Sequence, residues 1–230
     1  MLDTHVHQVA LKEFDKRVAL MINSVQQNDI QNIQQHLHSD NTYIGIGHHP
    51  INAHSFQQIS LLELDIIQQT QTFIGEIGLD LRSHILLKNP IEKQKQVFFE
   101  YCRLGFQFKK LISIHLINRS PGCLEYILDV FKQLEFQYGG TFVIFHAFQC
   151  SYEQFMRFTR ECMSCRFFAG VGYLNCDNKK LLKLDKYLVL ETDMFEDSQN
   201  WDSLWNQVLP FYSDKIQLNE RQIISFLNQE

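Results

Sequence analysis

The sequence predicts an α/β chain closed into a (β/α)8 barrel, and three observations carry that expectation. Short apolar or β-branched runs alternate with amphipathic helical segments, which is the pattern of a parallel sheet with crossover helices. Eight such runs are present, the number that closes a barrel. The length of 230 residues, with 45% hydrophobic and 20% charged, suits one α/β barrel, so 1–230 is read as a single domain.

The strands are expected near Met1 to His5, Val18 to Val25, Thr42 to Gly47, Phe73 to Gly78, Leu111 to His115, Thr141 to His146, Arg166 to Val171 and Tyr187 to Glu191. Helical periodicity falls near Asp29 to His38, Leu61 to Gln71, Ile91 to Phe106, Gly122 to Phe136, Ser151 to Cys162, Asn178 to Leu184, Trp201 to Tyr212 and Leu218 to Gln229. Start signals support two of these: Pro90 precedes Ile91, and Ser151 stands three residues before Gln154 as in a capping box. The Gln/Asn-rich stretch Gln26 to Gln35 keeps Ile30, Ile33 and Leu37 at helical spacing and is read as a solvated helix. One connection is anomalous. The stretch between His7 and Val18 is short for a crossover carrying its own helix, so either the first crossover is reduced or the second strand is misplaced.

Charge and cysteine usage exclude several classes. A net charge of −5 and a pI near 6.0 lack the overall basic footprint of a nucleic-acid-binding domain, although a local basic rim is compatible with them. The opening residues show no charged segment followed by an apolar one, and no stretch has the length of a membrane span. A cytoplasmic protein with no membrane association and no obligate protein partner is expected. The six cysteines are scattered, and Cys162-x-x-Cys165 is the one pair with metal or redox spacing; without a second pair it reads as packing.

Active sites of parallel barrels lie where strands end. His5 and His7, two apart on the first strand, project to the same face and suit a divalent metal. Glu76 ends the fourth strand, His115 the fifth and His146 the sixth, while the eighth leads to Asp193. Each alone has an ordinary explanation, such as a hydrogen-bonded core histidine or a helix N-cap. Together they place four histidines and two carboxylates at one mouth, more than one tetrahedral ion needs and a set that two ions sharing a bridging carboxylate would use.

Six motifs in order, Asp3-Thr4-His5-Val6-His7, Gly47-His48-His49-Pro50, Gly75-Glu76-Ile77-Gly78-Leu79-Asp80, Ile114-His115, Phe145-His146-Ala147-Phe148 and Leu190-Glu191-Thr192-Asp193, make the chain resemble a known family. It resembles the TatD-like metal-dependent deoxyribonucleases of the amidohydrolase superfamily. The resemblance implies a distorted TIM barrel holding two divalent cations (Mg, Mn or Zn). His5 and His7 would bind one, His115 and His146 the other, with Glu76 between them. Asp193 would complete the first site and act as general base, and His49 would face the substrate phosphate. It further implies a 3′–5′ exonuclease type of deoxyribonuclease, acting on DNA that is single-stranded or at an end.

The chain departs from that pattern in ways that bear on substrate. Ile117 stands where full-length relatives usually carry an arginine, and Arg119, two residues on, is the alternative phosphate contact. Met194-Phe195-Glu196-Asp197 follows Asp193 where relatives have proline and a long basic segment, which makes this a compact variant with an acidic rim. Phe148, Tyr173 and Phe195 could stack on bases but are more simply read as packed. Two other readings stand beside the nuclease: a dinuclear hydrolase of a small phosphoester, lactone or amide, and a non-catalytic scaffold.

Overall fold

The computed structural model describes residues 1–7, 18–37, 41–117, 121–172, 175, 179–193, 203, 206–207, 209–211 and 213–228. The strands are β1 (Leu2–His7), β2 (Ala19–Asn23), β3 (Thr42–Ile46), β4 (Thr72–Asp80), β5 (Ile112–Ile117), β6 (Phe142–Phe145), β7 (Arg166–Val171) and β8 (Leu188–Leu190). They form one sheet in chain order, every neighbouring pair parallel. The second strand is therefore where the sequence puts it. The first crossover falls within 8–17, outside the described residues.

Helices α1 (Gln27–Ile33), α2 (Leu61–Ile67), α3 (Ser83–Leu86), α4 (Ile91–Gln107), α5 (Pro121–Tyr138), α6 (Tyr152–Glu161) and α7 (Asp214–Asn228) complete the architecture. Ser60 with Glu63 and Ser151 with Gln154 close capping boxes at the starts of α2 and α6, satisfying N–H groups that the first turn leaves open. Helix α1 buries Ile30 and Ile33, as the solvated-helix reading expects. Residues Lys179–Tyr187 form a 3-10 helix rather than an α-helix. Leu181 and Leu184, both buried, are three apart, and a period of three keeps them on one face. Most of the helix expected over Trp201 to Tyr212 lies outside the described residues.

Alternation along the strands sorts side chains into two layers. On β5, Ile112, Ile114 and Leu116 pack outward against the helices, while Ser113 and His115, with Leu111 just before the strand, point into the barrel. A separate apolar cluster takes Leu2, Ala19 and Met21, Tyr43, Phe73, Leu111, Ile144, Phe168 and Val189. A set drawn from around all eight strands can only be the barrel interior, near the strands' N-terminal ends. Ile223 and Leu227 of α7 belong to the same cluster, and the Gln71 N–H bonds the Leu227 carbonyl at 3.2 Å. Helix α7 thus plugs that end of the barrel.

Above this plug the inward positions become small or polar, then turn into ligand-type residues at the strands' C-terminal ends. Register irregularities between Asp3 and Val6 on β1 and between Ile74 and Ile77 on β4 each lie beside a site residue. Such an offset re-aims the chain without ending the ladder. On β4 it lets Ile74 and Ile77 both pack outward while Glu76 faces in.

Strands β1 and β8 meet through side chains and loop backbone. Thr4 Oγ1 donates to the Leu190 carbonyl at 2.9 Å, and the Asp193 N–H to the His5 carbonyl at 2.9 Å. The buried Asp3 carboxylate accepts from the Thr192 N–H at 3.0 Å and from its hydroxyl at 2.7 Å. These bonds bring the barrel to near closure.

Cys162 is buried, and burial pushes both it and Cys165 up to about 12, so neither is a ready thiolate. Both are packing residues. No helix among the described residues is long and apolar enough to cross a membrane.

Removing the plug should cost stability without touching the ligand-type residues. Ile223→Ala is expected to destabilise the protein by about 2–5 kcal/mol, measured by chemical denaturation.

Candidate metal centre

Glu76 lies at the centre of the mouth, 1% exposed and ringed by five imidazoles. Its Oε1 faces His115 Nδ1 at 2.8 Å and His146 Nε2 at 4.0 Å. Its Oε2 faces His5 Nε2 at 3.3 Å, His7 Nε2 at 3.5 Å and His49 Nε2 at 3.7 Å, yet makes no hydrogen bond. Asp193 reaches in from the opposite side, with Oδ1 at 3.5 Å from His7 Nε2 and Oδ2 at 3.6 Å from His146 Nε2. Its φ of 53° and that of Ala147 at 41° lie in the left-handed region, turning the chain sharply after β8 and β6.

Three donor sets converge closely enough to hold an ion: His5, His7 and Asp193; His5, Glu76 and His146; His49, Glu76 and His115. All six expected ligands are thus brought together, and His49 joins them. His146 stacks on His5 with ring centroids 3.6 Å apart and stands 6.4 Å from His115. Arg119 lies outside the described residues, as do Tyr173 and Phe195; Phe148 is buried against Phe145 and Phe155 and is packed.

What stands behind each ring decides which nitrogen it can offer. The outer nitrogen of His115, Nε2, faces Asp80 Oδ2 at 3.3 Å, and that of His146, Nδ1, faces Glu191 Oε1 at 3.1 Å. An ionised carboxylate only accepts, so these outer nitrogens carry hydrogen, and each inner nitrogen can offer a lone pair to a cation once it has given up its own proton. His5 Nδ1 lies 3.4 Å from Ser113 Oγ, a hydroxyl that can donate or accept. His49 is the opposite case. Its Nδ1 accepts from the Ile51 N–H at 3.0 Å, which leaves Nε2 as the N–H of the neutral ring. His49 is therefore built to donate to an anion.

Sequence reasoning did not single out Asp80 or Glu191 for these roles. Glu191 is fully buried, with Oε1 also accepting from the Ala147 N–H at 2.7 Å. A Cβ at residue 170 would stand 2.1 Å from Glu191 Oε2, so only glycine leaves room for this carboxylate. At Gly47 a Cβ would lie 2.8 Å from the Glu76 carbonyl oxygen, and glycine lets β3's end approach β4.

Electrostatics fit a site that attracts cations. Burial pushes the Glu76 carboxyl up, yet the His49, His5 and His115 imidazoles hold it well below the usual carboxylate range. Asp193, also buried, is drawn down to about 2, chiefly by His146. His146 is carried against its burial to about 10 by Glu191 and Asp193, and His115 is raised by Glu76 and Asp80. His5 is lowered by burial and by its stacked neighbour His146, and His49 well below its ordinary value by burial and His115. In the metal-free protein, imidazolium charge thus balances buried carboxylate. The donor set fits divalent cations: imidazole nitrogens and carboxylate oxygens converge, and Glu76 Oε2 has charge but no hydrogen to accept.

Fold and site together define the class, a metal-dependent hydrolase built on a TIM barrel. Residues 2–214 match the family model described as TatD related DNase, and the chain belongs to that family. The TatD homologue YJJV of Escherichia coli K12 shares the fold with a TM-score of 0.68 at 17% identity, covering 100% of this chain and 98% of that one. An uncharacterized amidohydrolase from Saccharomyces cerevisiae superposes with a TM-score of 0.55 at 15% identity, over 90% of this chain and 76% of that one. A search of curated proteins finds no significant match.

Two outcomes are expected. Glu191→Gln should lower divalent-metal affinity about 10- to 100-fold by calorimetric titration, with the circular dichroism spectrum unchanged. Because a cation must displace the proton that His146 holds up to about pH 10, affinity should rise as pH rises toward that value. The slope should be about tenfold per pH unit per proton released, and titrations in buffers of different ionisation enthalpy would count those protons.

Proposed function

We propose that the protein is a dinuclear metal-dependent phosphodiesterase whose substrate is DNA, cleaved from a single-stranded end in the 3′–5′ direction. The observation that carries this reading is the division of Glu76: one oxygen toward His115 and His146, the other toward His5 and His7. A carboxylate so divided suits a bridge between two cations. On this reading His5, His7 and Asp193 hold one ion and His115 and His146 the other. Such a pair, when bound, supplies charge to neutralise the phosphoryl oxygens and acidifies the attacking water. Membership of a family described as related to DNases supports a nucleic-acid substrate.

The remaining steps belong to the chain's own groups. Asp193, 16% exposed and held ionised far below neutral pH, accepts the proton that the water gives up. His49 donates its Nε2 hydrogen to a non-bridging phosphate oxygen, which gains charge during in-line attack. Asp80 and Glu191 keep His115 and His146 aimed inward while this happens.

The test is release of nucleotides from end-labelled single-stranded DNA by protein loaded with magnesium, manganese or zinc. Asp193→Asn should lower kcat by about 10²- to 10⁴-fold. No release with any of the three metals, alongside turnover of a chromogenic lactone, would replace the nuclease reading with small-substrate hydrolysis.

A further inference from the structure

We propose that Arg82 is a specificity-determining residue that grips a phosphate group of the substrate at the rim of the metal centre, a proposal that rests on the phosphodiesterase reading. Asp80, the last residue of β4, is fully buried. The Arg82 side chain clasps it in a fork: Nε stands 3.0 Å from Oδ1 and 2.9 Å from Oδ2, and Nη2 stands 2.5 Å from Oδ2. The same Oδ2 lies 3.3 Å from His115 Nε2, so one carboxylate separates the guanidinium from a ring of the centre.

This clasp is built from several sides. The Arg82 N–H bonds Asp80 Oδ1 at 3.0 Å, closing a turn through the carboxylate. Gln94, buried on α4, accepts from the Asp80 N–H at 2.7 Å and donates to its carbonyl at 3.0 Å. The Leu81 N–H bonds the Ile117 carbonyl at 3.2 Å, which keeps this strand end beside β5. The pairing of Asp80 with Ile117 puts an apolar side chain at the adjacent strand end, and the positive charge beside it comes from Arg82 in the turn after β4.

The fork leaves part of Arg82 available. Nη1 makes no hydrogen bond among the described residues, and the side chain is 37% exposed, so it meets water. A guanidinium stays charged at any working pH, and its planar N–H groups match phosphate oxygens. Held on one edge by Asp80, it has already lost the rotamer freedom that an unrestrained arginine would lose on binding. Among the described residues, the other ion-paired lysines and arginines lie on helices away from the ring of imidazoles: Lys95 and Arg103 pair within α4, Arg157 and Lys132 bind Glu125 or Glu161 on α5 and α6, and Lys215 of α7 binds Asp185. Arg82 stands beyond the outer nitrogen of His115, and His49 stands beside the inner one, its Nε2 3.1 Å from His115 Nδ1.

The experiment compares wild type, Arg82→Gln and Arg82→Lys, each loaded with metal and assayed for metal content, thermal melting and kinetics on a dinucleotide phosphodiester. Binding of inorganic phosphate is measured separately by equilibrium dialysis. Arg82→Gln should raise KM about 10- to 100-fold with kcat changed far less, and weaken phosphate binding similarly. Metal content and melting should stay at wild-type values, with Arg82→Lys between the two. A KM and phosphate affinity within twofold of wild type would overturn the proposal. So would loss of metal in Arg82→Gln, because that would make Arg82 a support for Asp80 alone. If wild type cleaves no phosphodiester, the functional reading fails, while the dialysis still decides whether Arg82 holds phosphate.

Discussion

A carboxylate removed from water and surrounded by imidazoles is the constraint on which the rest of this molecule depends. Ionised Glu76 would be costly to bury alone, and its neighbours are arranged so that it never is. Rings from β1, the β3 end, β5 and the β6 end converge on its two oxygens. The barrel makes that convergence possible, because inward positions near the C-terminal ends of parallel strands all open on one small volume. The apolar plug of Leu2, Phe73, Ile144, Phe168 and α7 fills the other end and holds the strands at the spacing the site requires.

The same histidine type is used in two chemical senses. His115 and His146 have carboxylates behind them, so their inner nitrogens can offer lone pairs to a cation that displaces the proton there. His49 has a backbone N–H behind it, so its inner nitrogen offers hydrogen. One side of the mouth therefore presents donors suited to cations while an adjacent group presents a hydrogen suited to anions, which is the combination that hydrolysis of a charged ester needs.

Much of this was legible in the residues. All eight strands alternate or run apolar strongly enough to be placed, and the ligand types stand at their ends. The second strand, despite its short preceding connection, forms a full partner of β1 and β3. What was not legible depends on three-dimensional neighbours. No periodicity shows that Glu191 rather than Asp193 faces His146 Nδ1, or that Gly170 exists to admit it. The irregularities that turn Glu76 inward shift the face of a strand by one residue, which an alternating pattern cannot reveal. The 3-10 geometry of Lys179–Tyr187 comes from tertiary packing of two leucines, where sequence spacing alone allowed an α-helix.

The seam between β1 and β8 has a consequence for folding. Thr4 and Leu190 are 186 positions apart, yet their bond lies beside the site, and His5 and Asp193 are joined there by backbone. An ion shared by His5, His7 and Asp193 would act as a removable cross-link over one of the longest loops the chain can close. It would bind only the sealed barrel, so its occupancy would be linked to whether the first and last strands stay together. Metal supply would then govern the lifetime of the closed fold as well as the chemistry at its mouth.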